Sequence, residues 1–275
     1  MSDLETAANP GPEAPNLAPP QSDLDGPHPE IRVRRRKSSV FEAKSLLAIT
    51  VIVLFAITFV VQAFRVPSES MENTLLAGDF LLADKVHFAQ GGSLWSKILP
   101  YETIQRGDVI VFRFPVDPST YFVKRVIGIP GDHIRLQDKT VYLNGKPLQE
   151  SYAVHQLHDD DPYRDNFPRM ANLPGSVEEH WQVDIWRHLS GRELVVPVGN
   201  YFVMGDNRDR SLDSRYWGFV PRASITGRPL VIYLSLRGLY RDEEDEADDK
   251  LIPSGQIGTH FLQLARWNRT FHVVR

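Results

Sequence analysis

Twenty residues without a charge, SLLAITVIVLFAITFVVQAF (45–64), lie between Lys44 and Arg65. At 1.5 Å of rise per residue a helix of that length reaches roughly 30 Å, the thickness of a bilayer's hydrocarbon core. The run is apolar on every helical face, which argues against a buried core helix of a water-soluble domain. It starts too late and runs too long for the apolar region of a cleaved signal peptide, and no small-residue cleavage pattern follows it. The expectation is one transmembrane helix over residues 43–64. Arg32, Arg34, Arg35, Arg36, Lys37 and Lys44 precede it, whereas only Arg65 and Lys85 follow within about 20 residues. By the positive-inside rule the N-terminus is cytoplasmic and everything after Arg65 is extracytoplasmic. The cluster RVRRRK (32–37) is also suited to anionic lipid head groups.

The flanks differ in kind. Residues 1–30 carry Pro10, Pro12, Pro15, Pro19, Pro20, Pro27 and Pro29 among acids and no aromatic residue. Such a segment cannot bury enough apolar surface to offset chain entropy, so residues 1–42 are expected to be a disordered cytoplasmic tail with a basic end. The chain has 275 residues, a net charge of -4 and no cysteine. A negative balance argues against a nucleic-acid partner. The missing cysteines exclude disulfides, thiolate metal sites and a cysteine nucleophile, and leave the redox compartment open.

From residue 65 onward short apolar runs sit beside Gly-Asp turns: Gly78-Asp79 before FLLADKV, Gly107-Asp108 before VIVFRF, Gly131-Asp132 before HIRL, and Gly205-Asp206 after YFVM. VYLNGKPL reads as a hairpin turning at Asn144-Gly145, and LVIYLSL (230–236) as a further strand. The predicted fold class is mostly β: packed antiparallel sheets over residues 65–275, preceded by one helix. Residues 150–193 are polar with scattered aromatics, and they point to an inserted smaller subdomain over about 139–200. DEEDEADD (242–249) reads as a solvated loop. Phe88, Leu94 and Trp95 suit either contact with lipid or an ordinary core.

Three stretches carry candidate chemistry. In VPSESMENTLLAGD (66–79), Pro67 favours extended backbone before it. If the chain stays extended through Ser70, Ser68 and Ser70 point to one side and Glu69 to the other. In YFVKRVIGIPGD (121–132), alternation sets Phe122, Lys124 and Val126 on one face of a strand. A lysine among apolar neighbours loses hydration, which lowers its pKa and equips the neutral amine to act as a base. The plainer reading is a lysine that snorkels to the sheet edge. GDNRDRSLDSRYWGFVP (205–221) packs Asp206, Arg208, Asp209, Arg210, Asp213 and Arg215 around Ser211. That is either a salt-bridged loop or a polar frame holding Ser211 against the amine.

VPSESMENTLLAGDFLLADKV, RGDVIVFRFPVDP, YFVKRVIGIPGD and GDNRDRSLDSRYWGFVP, in this order, resemble the bacterial type I signal peptidase (leader peptidase) family. The resemblance runs from the apolar run to about Arg269. It implies a membrane-bound serine endopeptidase that removes signal peptides from secretory precursors through an acyl-enzyme, at the outer (periplasmic) face of the cytoplasmic membrane. Residue by residue, it implies Ser70 as nucleophile and Lys124 as general base. It implies Ser68, with Ser70, in the oxyanion hole, and Ser211 as the group that hydrogen-bonds and orients the lysine. Asp206, Arg208, Asp213 and Arg215 form the active-site network, and Phe64, Val66, Phe122 and Val123 line shallow pockets for small side chains. The expected partners are precursor proteins and the lipid bilayer, with no nucleic acid; no cofactor and a monomeric chain are expected. Two departures stand out: Asn73 occupies the usual proline position, and Arg210 a common asparagine position.

Two other classes fit the chain less well. A self-cleaving repressor-type Ser-Lys protease needs a helix-turn-helix region where this chain has a tail and an anchor. A membrane-anchored scaffold gives no reason for a lysine on an apolar strand face. His155, His158, Asp159, Asp160 and Asp161 (HQLHDDD) are metal-ligand types, but without helical i, i+3 spacing, so no metal is expected.

Overall fold

The computed structural model describes residues 39–86, 88, 102–169, 171–237 and 262–274. The tail 1–30, the basic cluster 32–37, Leu94, Trp95 and the acidic run 242–249 lie outside the described residues. Two compact units are distinguished, Met1–Leu47 and Ala48–Arg275. Of the first, only the start of helix α1 is described.

Helix α1 spans Ser39–Phe55 and continues as a π-helical turn over Ala56–Val60. The stretch Glu42–Val60 is long and apolar enough to cross a membrane, and none of it is buried. Leu47, Ile52, Phe55 and Phe59 are all more than half exposed. A helix with apolar side chains bare on all sides is matched to lipid rather than to water. The helix stops four residues short of the end of the uncharged run. Val61–Arg65 form strand β1, paired antiparallel with β2 (Asp79–Asp84), Val61 opposite Asp84 and Arg65 opposite Phe80. Composition does not mark this switch; the waiting edge of β2 does, because strand preference follows the neighbouring strand.

The remaining strands are β3 (Val109–Arg113), β4 (Tyr121–Gly128), β5 (His133–Gln137), β6 (Thr140–Leu143), β7 (Lys146–Pro147), β8 (Leu189–Ser190), β9 (Glu193–Val195), β10 (Asn200–Met204), β11 (Val220–Pro221), β12 (Ile225–Ser235) and β13 (His272–Val273). Helix α2 (Glu179–Asp184) precedes β8, and the short α3 (Ser214–Trp217) follows β10. The main sheet has the order β1-β2-β12-β3-β4-β10-β11, with β13 added to β12. All its paired neighbours are antiparallel. Every strand expected from an apolar run beside a Gly-Asp turn is present. Asn144 and Gly145 both have positive φ, 51° and 77°, as the two-residue β6–β7 hairpin requires.

A second antiparallel sheet, β7-β6-β5-β9-β8, is built from strands between His133 and Val195 with α2 ahead of β8, so its central strand β5 lies before the stretch 139–200 expected as an insertion. Its apolar face shares a core with the main sheet. Ile110, Phe112, Val126 and Phe202 belong to the same buried cluster as Ile134, Val141, Leu194 and Trp181. Trp181 is 2 % exposed and its indole N–H donates to the Arg215 carbonyl at 3.1 Å, so a large apolar body is buried without orphaning its polar end. Phe88 is 1 % exposed and lies in this cluster, which excludes it from lipid contact and makes it ordinary core.

Candidate active site

Ser70 sits in a loop that caps the β1–β2 hairpin. Val66 N–H donates to the Asp79 carbonyl and Gly78 N–H to the Val66 carbonyl, both at 2.9 Å, closing residues 67–77 into a loop. Gly78 has φ +87°, and a Cβ there would lie 2.0 Å from the Leu236 carbonyl oxygen, so the closure needs glycine. Strand β1 ends at Arg65, and the extended run expected through Ser70 is broken from Ser68 onward. Ser68 and Glu69 form a bend, and Leu75 N–H bonds the Met71 carbonyl at 2.7 Å in a single helical turn. Met71 and Leu75 are 1 % and 0 % exposed and pack with Val66, Leu81, Val109, Val111 and Ile232. Full burial of such side chains stabilises by about 1.5–3 kcal/mol each, which pins the turn from below. The bend still brings the two hydroxyls together: Ser68 Oγ is 3.3 Å from Ser70 Oγ.

Lys124 comes from the middle of β4, opposite Ile110 of β3. It does not snorkel. The residue is 4 % exposed, and its Nζ donates to Ser70 Oγ at 2.6 Å, across 54 residues of sequence. Burial lowers its pKa from 10.5 to about 8; Asp213 and Asp206 favour the ammonium, and Arg215 opposes them. An amine with that pKa is still mainly protonated near physiological pH, but its neutral fraction far exceeds that of an ordinary lysine, and the neutral form can accept a hydroxyl proton.

The loop after β10 frames this pair. Gly205 presses against the Ser70 carbonyl and against Ser211; a Cβ there would come within 2.3 Å of both Ser70 O and Ser211 Oγ. Asn207 N–H donates to the Ser70 carbonyl at 3.1 Å. Asp213 caps α3, accepting from Arg215 N–H, and its carboxylate takes Arg215 Nε and Nη2 at 2.8 and 2.9 Å and Gly205 N–H at 3.1 Å. Burial pushes the Asp213 carboxyl upward, but Arg215, Lys124 and the Gly205 N–H together outweigh it and the group stays below its ordinary value. Arg208 forks onto Glu150 and donates to the Gly205 carbonyl at 3.1 Å. Ser211 Oγ is buried and has no hydrogen-bond partner among the described residues, so the bond to Lys124 that the resemblance implies is not made in this arrangement.

Phe64, Val66, Phe122 and Val123 all line one cavity of about 300 Å³ together with Ser68, Ser70 and Lys124. Tyr121, Met71, Leu212 and Arg210 complete its wall. The walls are apolar apart from the hydroxyls, the amine and two arginines, Arg65 and Arg210. His155 lies 3.5 Å from Asp209, while His158, Asp159 and Asp160 are exposed, so HQLHDDD does not converge as a cage.

Arg125 escapes the sequence reading. It stands beside Lys124 on the other face of β4 and forks onto Asp206 at 2.8 and 2.7 Å; Asp206 also accepts from the Thr74 hydroxyl. The available signal was a second cation on a strand with both faces apolar, since a buried guanidinium demands a buried acid. Asn73 has φ +85°, a region closed to proline and tolerated by asparagine, so the departure at this position matches the turn the chain makes.

Comparison with known proteins identifies relatives of this arrangement. The family model described as signal peptidase, peptidase S26, matches residues 40–234. A signal peptidase I of Pseudomonas aeruginosa is 33% identical over 234 residues, covering 78% of this chain and 80% of the relative. That of Pseudomonas fluorescens is 36% identical, covering 70% and 71%. That of Aquifex aeolicus is 35% identical, covering 69% and 82%.

Proposed function

The chain belongs to the signal peptidase family, peptidase S26, and we propose that it cleaves signal peptides from secretory precursors with Ser70 as nucleophile and Lys124 as general base. The observation that carries this reading is the 2.6 Å contact between a buried amine of lowered pKa and a buried serine hydroxyl. Ser70 Oγ attacks the scissile carbonyl as Lys124 Nζ takes its proton. The ammonium then protonates the leaving amine. A water deprotonated by the same lysine hydrolyses the acyl-enzyme. The Ser68 hydroxyl turns from Ser70 Oγ to the developing oxyanion, which it shares with the Ser70 N–H. Ser211 is the orienting partner for the amine once Ser70 has given up its proton. Asp206, Arg208, Asp213 and Arg215 hold the frame. Apolar walls around a cavity of about 300 Å³ suit small uncharged side chains beside the scissile bond.

In this reading residues 1–42 lie in the cytoplasm, the helix up to Val60 provides the membrane anchor and the β-rich part from Val61 onward acts on the periplasmic side of the inner membrane. The basic excess before α1 supports that orientation. The absence of cysteine makes a direct test available. A single cysteine at the exposed Ser119 is expected to react in intact spheroplasts with a reagent that cannot cross the membrane. Labelling only after lysis reverses the topology.

For the chemistry, the purified protein is incubated with a secretory precursor. Ser70→Ala is expected to give no product above background. Ser68→Ala removes one oxyanion donor, worth about 2.7–4 kcal/mol, and is expected to slow turnover by roughly a hundredfold to a thousandfold. Cleavage by Ser70→Ala at the wild-type rate overturns the assignment.

A further inference from the structure

The segment that leaves β7 and runs from Glu150 to Gln156 belongs to the second sheet by sequence, yet its bonds go elsewhere. Val154 N–H donates to the Asp206 carbonyl at 2.8 Å and Arg208 N–H donates to the Val154 carbonyl at 3.0 Å, laying the segment parallel to the loop after β10. Further contacts of the segment reach the turn that carries Ser70. Asn73 Nδ2 donates to the Tyr152 carbonyl at 3.2 Å, and Gln156 Nε2 donates to Glu72 Oε2 at 2.5 Å. Asn207 Nδ2 joins them, donating to Gln156 Oε1 at 3.0 Å and to Glu72 Oε2 at 3.3 Å. The Tyr152 ring lies 4.1 Å from the Arg125 guanidinium, on the strand that carries Lys124.

We propose that Glu150–Gln156 is a positioning strap for the reaction: Gln156 and the Tyr152 carbonyl hold Glu72 and Asn73, and thereby keep Ser70 within proton-transfer distance of Lys124. Hydrophobic anchoring by Met71 and Leu75 sets the depth of the turn, but apolar contact is non-directional and leaves rotation about that anchor open. Directional bonds on the two residues after Met71 close that freedom. Near-attack geometry tolerates little error, so a strap of this kind acts on turnover rather than on substrate affinity. It also gives a role to the segment between the two sheets. Glu72 and Gln156 lie outside the cavity lining, so neither is assigned to substrate binding.

This inference rests on Ser70 being the nucleophile. The test is a reciprocal exchange. Gln156→Glu sets two carboxylates against each other and is expected to lower kcat about tenfold or more, with KM changed less than about twofold. The double variant Glu72→Gln, Gln156→Glu rebuilds the bond in the opposite direction and is expected to recover kcat to within about threefold of wild type. Asn73→Gly keeps the left-handed backbone, removes the bond to Tyr152, and is expected to lower kcat with KM again unmoved. Thermal unfolding midpoints of all three are measured alongside. Wild-type kcat in both Gln156→Glu and Asn73→Gly overturns the strap, as does an exchange that restores nothing. If Ser70→Ala is inactive while both variants are fully active, the strap alone falls. If Ser70→Ala is active, the catalytic reading falls with it.

Discussion

Lys124→Met is expected to abolish cleavage, by about four orders of magnitude or more, and at the same time to stabilise the fold at neutral pH. The activity loss follows from removing the base that accepts the Ser70 proton. The stability gain follows from linkage. The lysine pKa is lowered on folding from 10.5 to about 8, so the folded chain disfavours the ammonium that the unfolded chain holds readily. Below about pH 8 the penalty is fully present. Between about 8 and 10.5 the unfolded state binds a proton that the folded state does not, and stability rises with pH. Above that interval the penalty is gone. A shift of this size corresponds to about 3 kcal/mol, and methionine, of similar length and apolar, removes it. Losing the bond to Ser70 offsets about 1 kcal/mol. Thermal melts at pH 7 and at pH 10.5 check this: the variant should melt above wild type at the lower pH, and the gap should close at the higher. A variant that melts below wild type at pH 7 contradicts a desolvated amine. In the wild type, kcat/KM is expected to rise with pH and reach half its maximum near pH 8. A flat profile across that range contradicts Lys124 as the base.

Arg125→Met is expected to be the most destabilising single substitution in the catalytic frame. Asp206 is 0 % exposed and Arg125 4 % exposed, and the bidentate contact between them supplies the carboxylate's main partner. Removing one member of such a pair leaves a buried charge uncompensated and costs about 3–5 kcal/mol. For a domain of this size that lowers the melting temperature by roughly 6–20 °C. The damage reaches the site because Asp206 also accepts from Thr74 and adjoins Asn207, which holds the Ser70 carbonyl. Adding Asp206→Asn removes the stranded charge, so the double variant should melt above Arg125→Met alone. A single variant melting with wild type shows that the pair is not the frame's anchor.

The strands were legible because their signals are local. A buried strand must be apolar and its turn must bend, so VIVFRF after Gly107-Asp108 and VYLNGKPL around Asn144-Gly145 declare themselves within a few residues. The candidate catalytic pair was legible for a different reason. Ser70 and Lys124 stand in stretches that match the family in order, and Phe64, Val66, Phe122 and Val123 follow from that match. The Ser68 and Ser70 hydroxyls do converge, but by a bend and a helical turn rather than by strand alternation.

What escaped detection depends on distant partners. Arg269 forks onto Asp79, with Nη2 at 2.6 Å, across 190 residues, and nothing near either residue announces the other. The polar stretch after β7 reads as an insertion because its side chains are hydrophilic; only in three dimensions do Tyr152 and Gln156 meet Asn73 and Glu72. Phe88 was open between lipid and core until its neighbours were in place.

By itself, the amino-acid order determined the membrane-compatible helix, the antiparallel strands and the membership of the family, because hydrophobic period, turn chemistry and short motifs are properties of neighbouring residues. Tertiary structure decided where the helix yields to β1, which acid neutralises Arg125, that Ser211 makes no bond to the amine, and how the second sheet's connecting segment grips the Ser70 turn. Those depend on directional bonds and desolvation between residues far apart in the chain, and such terms exist only once the chain has folded.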